Sequence, residues 1–260
     1  MNLGLNGRVV LVTGGSRGIG LACARAFLEE GARVAIASRN RDHLNRASAE
    51  LAPAGHAAAF VADLTREEDA VSLVNRVEKQ LAAIDVLVNC AGAAKRYHPE
   101  ALNAEAWHAA MDAKYFTYVH AMEAVLPRMQ QRGRGAVVNI IGTGGKVATP
   151  MHLPGGSANA ALMLATVGLA TVYGKSGVRI NAINPGATMG ERLQEALTLE
   201  AKTRGVSEDK VLEDGRSRVP LGRYADPADI AQVALFLASD RASYVTGAIV
   251  PMDGGLTPII

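Results

Sequence analysis

Seven short apolar runs recur along the chain, each separated from the next by a helical pattern. The runs do not alternate polar with apolar residues, so both faces of the corresponding strands are predicted to be buried. Strands buried on both faces are typical of a parallel sheet with helices on each side. The runs are Arg8–Val12, Arg33–Ala37, Ala57–Val61, Val86–Val88, Ala136–Ile141, Arg179–Ile183 and Ala248–Pro251.

This order of elements predicts one α/β domain over residues 1–260, a Rossmann-like, doubly wound parallel sheet of about seven strands with helices on both faces. Right-handed crossovers between consecutive parallel strands place the helices there. The length of 260 residues and the apolar fraction of 49% suffice for one large core. The predicted helices are Ile19–Glu30, Arg41–Ala52, Arg66–Ala82, Ala104–Gln130, Ser157–Lys175 and Pro227–Ala238.

A charged helical segment, residues 191–224, interrupts the alternation before the last strand. Two interpretations are open: a solvated surface, or a lid over a substrate site. We predict the lid, because so long an excursion in a compact domain is usually functional.

The bulk composition argues against several classes of partner. A net charge of +2 provides no general attraction to nucleic acid or to a membrane surface. No apolar window reaches the length of about 18 residues that a membrane span needs, the longest apolar helix being 157–172, and no signal-peptide pattern is present. Cys23 and Cys90 lie in apolar segments and are interpreted as buried thiols, which favours a cytoplasmic location. No metal-ligand pattern is found.

The stretch TGGSRGIG, residues 13–20, follows the first strand and opens a helix. Its glycines allow backbone N–H groups to approach a pyrophosphate, and the helix N-terminus supplies partial positive charge. A plain tight turn is the alternative, but the strand and helix on either side favour nucleotide binding.

The motif spacing resembles the short-chain dehydrogenase/reductase family across nearly the whole chain. The resemblance rests on T-G-x-x-x-G-x-G together with Asp63-Leu64, Asn89-Cys90-Ala91-Gly92, Asn184-Pro185-Gly186 and Asp253-Gly254-Gly255. It implies a single Rossmann-like domain with a seven-stranded parallel sheet, a small-molecule substrate, and assembly as a homotetramer.

The resemblance also implies which residues hold the dinucleotide. Those expected at the pyrophosphate are Gly14, Ser16, Arg17, Gly18, Ile19 and Gly20. Asp63 and Leu64 would border the adenine, and Asn89, Ala91 and Gly92 the nicotinamide ribose. Pro185 and Gly186 would lie at the nicotinamide, with Thr188 in place of the usual threonine, whose position holds Gly190.

The second strand ends in Ala37-Ser38-Arg39, without the carboxylate that would accept a hydrogen bond from the ribose of NAD. Arg17 and Arg39 could instead bracket a 2′-phosphate, with Ser38 beside them. Arg39 could also be an ordinary solvated arginine. We predict a preference for NADP(H) over NAD(H).

The catalytic positions implied by the resemblance have all changed. Counting from flanking landmarks, the serine position holds Gly142, the tyrosine position Gly155, and the lysine position Asn159. The asparagine position on the long helix holds Lys114. Thr143 could replace the serine only by a one-residue shift, which would reverse the face its side chain occupies.

Two residues are predicted to supply acid–base chemistry instead. Lys114 lies at the edge of an apolar stripe that should face inward, and a partly desolvated lysine titrates near neutral pH; a lysine extended to solvent is the alternative. His152 precedes Gly155 by one short loop and could protonate an oxyanion, or could be a loop histidine without a role. The predicted stripe comprises Trp107, Met111, Tyr118, Met122, Val125 and Met129.

Loops that would border the substrate are rich in positive charge, which predicts an anionic substrate. The residues concerned are Lys95, Arg96, Tyr97, His98 and Lys146, together with Lys114 and His152. The leading functional prediction is an NADP-dependent oxidoreductase that acts on a carbonyl or alcohol with an atypical acid/base. The alternatives are a non-catalytic NADP(H)-binding sensor or subunit, and a non-redox lyase or isomerase.

Overall fold

The computed structural model describes residues 2–92 and 95–258. All seven predicted strands are present, with ends within two residues of the prediction. They are β1 (Val9–Thr13), β2 (Arg33–Ser38), β3 (Ala58–Val61), β4 (Val86–Asn89), β5 (Gly135–Ile140), β6 (Val178–Pro185) and β7 (Ile249–Met252).

The helices follow the predicted alternation, with additional breaks. They are α1 (Gly18–Glu29), α2 (Arg41–Leu51), α3 (Glu67–Gln80), α4 (Ala104–Ala110), α5 (Thr117–Arg132), α6 (Leu153–Gly174), α7 (Glu191–Arg204), α8 (Glu208–Ser217) and α9 (Pro227–Ala238). A π-helical segment, Met111–Phe116, joins α4 to α5.

The strands form one parallel sheet in the order β3-β2-β1-β4-β5-β6-β7. Alternate residues of each strand enter two apolar cores: Val10 packs with α1, α2 and α9, whereas Leu11 packs with α3, α5 and α6. The chain therefore has the predicted single-domain, Rossmann-like fold. The strand order reverses between β1 and β4, where ligands bind in sheets of this kind.

A chain of buried polar side chains crosses the middle of the sheet. Thr13 donates a hydrogen bond to Asn89 at 3.2 Å, Asn89 donates to Asn139 at 3.0 Å, and Asn139 donates to Thr166 of α6 at 3.0 Å. All four residues are fully buried, so the chain links the ends of β1, β4 and β5 to α6.

The long predicted helix 104–130 is not uniform, and this changes which side chains it buries. The π-helical segment adds a residue to one turn, so the residues before it are out of phase with α5. Trp107, predicted to face inward, is 37% exposed, whereas Lys114, predicted at the edge of the stripe, is 7% exposed. Tyr118, Met122, Val125 and Met129 are buried as predicted.

The apolar helix α6 begins four residues earlier than predicted, so the predicted range of 157–172 was too short. By length and composition alone, the helical stretch Pro150–Gly174 could cross a membrane, with a mean hydropathy of 1.3 over its most apolar window. Its inner side packs on the sheet through Leu162 and Ala170. A core helix passes the same test, so the stretch is weak evidence for a membrane.

The charged segment 191–224 contains α7 and α8, which pack on each other through a small apolar cluster of Leu197, Ala201 and Val211. The segment is helical as predicted. Its first turn lies against the loops that follow β1 and β4, as described below.

Candidate active site

The glycine loop after β1 lies against the loop after β4. A Cβ atom on Gly14 would lie 2.7 Å from the backbone nitrogen of Ala91, and one on Gly20 would collide with the carbonyl oxygen of Gly14. Helix α1 begins at Gly18, and no side chain from the described residues caps its N-terminus. Because the first-turn N–H groups stay available, the loop fits a pyrophosphate.

The residues expected around the adenosine lie at the ends of β2 and β3. Ser38 is half-buried and Arg39 is exposed. Asp63 accepts hydrogen bonds from the backbone and hydroxyl of Thr65, which orient its carboxylate. The side chain of Arg17 is paired with Glu191 of α7 at 2.6 Å, so Arg17 also contacts the predicted lid.

Asn89 does not line the cleft as expected. It is fully buried, and both ends of its amide are used, by Thr13 and by Asn139. Its amide links β1 to β5, whereas Ala91 and Gly92 retain exposed surface.

At the opposite end of the cleft, Pro185 ends β6 and is buried, and Gly186 packs against Asp253. The hydroxyl of Thr188 donates to the Gly186 carbonyl at 3.2 Å. Thr188 also forms a bridge with Ala225, so its position is fixed.

Lys114 is a buried lysine within the π-helical segment. Its Nζ donates hydrogen bonds to the Tyr118 hydroxyl at 2.8 Å and to the Ile140 carbonyl at 3.0 Å. The alternative that Lys114 extends to solvent is therefore wrong. Burial, with a smaller contribution from the charge of Arg192, lowers the pKa of Lys114 to about 7. Its side chain lies beneath the loop after β4, since a Cβ on Gly92 would lie 3.1 Å from Lys114 Cδ.

Gly142 and Asn159 lie face to face. Gly142 has a φ of +139°, a conformation that L side chains rarely adopt, and a Cβ there would lie 3.2 Å from Asn159 Nδ2. Asn159 is 5% exposed. The two positions that the resemblance assigns to the catalytic serine and lysine are thus adjacent.

His152 lies beside the same glycine loop, at the N-terminal end of α6. No short loop separates it from Gly155, because the helix already begins at Leu153 and Gly155 lies in its first turn. The Nδ1 atom of His152 is buried and has no hydrogen-bond partner among the described residues. Burial, followed by the nearby charges of Arg96, Lys114 and Arg192, lowers the pKa of His152.

Arg192, which the sequence did not indicate, is a positive charge that lowers the pKa of both Lys114 and His152. Its guanidinium donates to the carbonyl of Gly92. No motif marks Arg192, which is one of many charges in the segment 191–224. Only the position of α7 over the cleft could have indicated it.

The other basic loop residues divide into two groups. The backbone of Tyr97 donates to the Met151 carbonyl at 3.1 Å, which brings the loop containing Arg96 next to His152. Lys95, His98 and Lys146 are exposed, and no hydrogen bond within the described residues joins them to this cluster. Within residues 2–92 and 95–258, no three His, Cys, Asp or Glu side chains are grouped to hold a metal ion.

The chain is similar to known proteins over almost its full length. Residues 14–257 match the family model described as enoyl-(acyl carrier protein) reductase. A 2-(S)-hydroxypropyl-CoM dehydrogenase of Xanthobacter autotrophicus is 33% identical over 98% of each chain. A gluconate 5-dehydrogenase of Gluconobacter oxydans is 31% identical over 97% of this chain and 96% of the relative. The chain belongs to the short-chain dehydrogenase/reductase family.

Three solved structures show the same fold. An actinorhodin polyketide ketoreductase with NADPH has a TM-score of 0.93 and 29% identity, covering 96% of this chain and 97% of that one. An NAD⁺-bound xylitol dehydrogenase has a TM-score of 0.91 and 29% identity, covering 96% of this chain and 99% of that one. An NADPH-bound short-chain oxidoreductase of Pseudomonas aeruginosa, described as containing an atypical catalytic centre, has a TM-score of 0.88 and 29% identity, covering 97% and 98%.

Proposed function

We propose that the chain is an NADP(H)-dependent oxidoreductase that transfers hydride between the nicotinamide and a carbonyl or alcohol substrate, with Lys114 as its acid/base. The family's oxidoreductases support the reaction class. The observation that supports this acid/base most strongly is a buried lysine with a pKa of about 7 beneath the loop after β4.

Carbonyl reduction needs a proton as well as a hydride. The hydride adds to the carbonyl carbon, the π-electron pair moves to oxygen, and the resulting alkoxide takes a proton. Gly142, Gly155 and Asn159 cannot supply that proton, because glycine has no side chain and an amide does not ionise. A group with a pKa near the working pH is the most effective donor, and general acid catalysis contributes about 10²–10⁴ in rate.

We propose an anionic substrate, such as a carboxylate or a phosphate ester. Lys114, Arg192 and Arg96 all lie close enough to His152 to lower its pKa, so positive charge converges on one place. Fixed positive charge in a cleft attracts and orients an anion. The similar proteins include a gluconate dehydrogenase and a xylitol dehydrogenase, whose named compounds are an anion and a neutral polyol. Because they do not favour either kind of substrate, the proposal rests on the charges around His152.

We propose NADP(H) as the preferred cofactor because β2 ends without a carboxylate and is followed by the exposed Arg39. Of the three solved structures described above, two hold NADPH and one holds NAD⁺. The nicotinamide supplies the hydride when it is bound. Residues 191–224 are proposed to act as a lid. We also propose a cytoplasmic location, on the ground of the two buried thiols, and a homotetramer, which the family resemblance implies.

A non-catalytic NADP(H)-binding sensor or subunit is the second candidate. It is favoured by Gly142, whose backbone conformation leaves no place for a catalytic side chain. This candidate predicts that NADPH changes the affinity for a protein partner without any turnover.

Deuteride transfer separates the two candidates. NADPH deuterated at C4, in both the 4R and 4S forms, is incubated at saturation with the enzyme and a mixed pool of 2-oxo acids, phosphorylated aldehydes and neutral carbonyl compounds. Mass spectrometry detects any product that gains one deuteron. We expect enzyme-dependent label in an acidic product, and label that falls at least about 100-fold in Lys114→Met. Label in neutral compounds alone contradicts the anionic substrate, and equal label in Lys114→Met removes Lys114 from the mechanism.

A further inference from the structure

A closed triangle of hydrogen bonds joins Lys114, Tyr118 and the carbonyl of Ile140. Lys114 Nζ donates to the Tyr118 hydroxyl at 2.8 Å and to the Ile140 carbonyl at 3.0 Å. The Tyr118 hydroxyl donates to the same carbonyl at 2.5 Å. A carbonyl oxygen has two lone pairs, so it can accept both bonds. The triangle ties the π-helical segment and α5 to the end of β5.

The Tyr118 hydroxyl is placed to hold the lysine and not to react itself. The residue is 0% exposed, and its one hydroxyl proton is directed at the Ile140 carbonyl. Burial raises the pKa of Tyr118 well above its usual range. Tyr118 is therefore unsuited to replace the missing catalytic tyrosine, and its hydroxyl oxygen serves as an acceptor for Lys114.

The two bonds of Lys114 leave one ammonium proton for a substrate. A protonated lysine carries three N–H donors, of which Tyr118 and Ile140 accept two. Both acceptors are fixed in the interior, so the direction of the third N–H is fixed with them. Without the Tyr118 hydroxyl, the amine would be free to turn about its last side-chain bond.

The charged groups around Lys114 come from three other elements. Arg192 of α7 disfavours the charged lysine. Cys90, after β4, acts in the opposite direction, but burial raises the pKa of its thiol, which stays protonated near neutral pH. His152, at the start of α6, is close enough for the charge of Lys114 to lower its pKa. These groups include no carboxylate, so the charged lysine depends on neutral acceptors such as the Tyr118 hydroxyl.

We propose that Tyr118 is a positioning residue for the acid/base: its hydroxyl, fixed by the Ile140 carbonyl, holds the Lys114 amine and leaves one ammonium proton for the substrate oxygen. The proposal deepens the proposed function and rests on it. During reduction the hydride adds to the carbonyl carbon, the electron pair moves to oxygen, and the alkoxide takes that proton. Lys114 is left as a neutral amine that keeps both N–H bonds to the protein.

The first test is the protonation of Lys114 in Tyr118→Phe, which removes the hydroxyl but keeps the ring, 4.5 Å from Lys114 Nζ. A hydrogen bond to the charged form favours that form, so we expect the pKa of Lys114 to fall by about one further pH unit. The ¹³Cε resonance of Lys114 measures this without any substrate. Tyr115→Phe is the matched control, because it removes the same hydroxyl from the residue next to Lys114, and it should leave the midpoint unchanged.

The second test is single-turnover deuteride transfer from NADPH between pH 5 and pH 9, to whichever carbonyl compound the wild type labels. A pKa lower by one pH unit reduces the protonated fraction of Lys114 at pH 7 from about one half to about one in eleven. The Tyr118→Phe rate should therefore fall about fivefold at pH 7 and recover at lower pH. A purely structural defect would lower the rate equally at every pH. NADPH affinity and the rate of Tyr115→Phe should stay near those of the wild type.

A third measurement needs no variant. The Tyr118 ¹³Cζ resonance of the wild type should shift with a midpoint near 7, because its hydroxyl is bonded to an amine that changes charge there. A Tyr118 resonance that stays constant while Lys114 titrates overturns this proposal alone, as does a folded Tyr118→Phe whose Lys114 midpoint is unchanged. Absence of label in the wild type overturns the proposed function and this proposal together.

Discussion

At the scale of single residues, the backbone at Gly142, the position that the family resemblance assigns to the catalytic serine, disfavours a serine side chain. The φ of +139° is a glycine conformation, and the space beside it is occupied by the Asn159 amide. A serine placed at position 142 would meet both obstacles.

Gly142→Ser is therefore expected to destabilise the protein by about 1–3 kcal/mol and not to increase activity. Urea unfolding with NADPH absent gives the change in free energy. Gly168→Ala is the control: Gly168 lies within α6, and a Cβ there has nothing within 4 Å. Alanine there should be neutral or stabilising by up to about 1 kcal/mol. A Gly142→Ser variant as stable as the wild type would contradict the strain argument.

Arg39 is the residue on which cofactor choice is expected to depend. Arg39→Asp removes a cation that could pair with the 2′-phosphate and places a carboxylate where NAD enzymes of this fold have one. We expect the Kd for NADPH to rise at least tenfold and that for NADH to fall. Fluorescence titration measures both. Arg41→Asp, in the first turn of α2, is a control for the change in net charge. An unchanged NADPH affinity in Arg39→Asp would contradict the preference for NADP(H).

At the scale of elements, the first turn of α7 connects the predicted lid to the cofactor cleft. The Glu191 carboxylate forms an ion pair with the Arg17 guanidinium at 2.6 Å. The guanidinium of the next residue, Arg192, donates a hydrogen bond to the Gly92 carbonyl. Arg17 is also expected to meet the cofactor phosphates, so cofactor and Glu191 compete for one guanidinium. The pair is more than half exposed, and its contribution is accordingly small.

Glu191→Gln should therefore tighten NADPH binding by up to about fivefold, the equivalent of an exposed ion pair worth at most about 1 kcal/mol. Isothermal titration at two salt concentrations measures this, and the gain should shrink at high salt. Glu213→Gln, on α8 within the same segment, is the matched control. Weaker NADPH binding in Glu191→Gln would contradict the competition.

The sequence predicted the elements better than the details of the site. Runs buried on both faces specify strands clearly, and all seven lie within two residues of the prediction. The π-helical segment was not predictable, because one extra residue in a turn leaves no mark in composition. Lys114, which lies in this segment, is buried, while Trp107, which precedes it, is partly exposed. Similarly, the buried amide of Asn89 depends on Asn139 and Thr13, which are distant in sequence.

At the scale of the whole molecule, a buried lysine makes the stability of the fold depend on pH. Lys114 has a pKa of about 7 in the folded chain and returns to its ordinary value of 10.5 on unfolding. Between those values the unfolded chain binds a proton that the folded chain does not, so stability rises with pH. The free-energy cost of burying the charged lysine is fully present below pH 7 and is relieved by pH 10.5.

Lys114→Met should therefore gain stability relative to the wild type at low pH, and the difference should shrink as the pH rises. The pH-dependent part is on the order of 5 kcal/mol, from the two values above. Urea unfolding of both proteins at intervals from pH 6 to pH 10 measures it. Lys146→Met, at an exposed position, is the control and should show no such trend. Parallel curves for wild type and Lys114→Met would contradict a lowered pKa.

The central claim is that Lys114 changes protonation state near neutral pH, and NMR of the lysine ¹³Cε resonances tests it without any substrate. Protein labelled with ¹³C,¹⁵N-lysine is titrated between pH 5 and pH 11. We predict one resonance with a midpoint near 7 that is absent from Lys114→Met. A Lys114 resonance that titrates near the ordinary lysine value of 10.5 would contradict the account, because the lysine would then stay charged at neutral pH and could not act as a balanced acid and base.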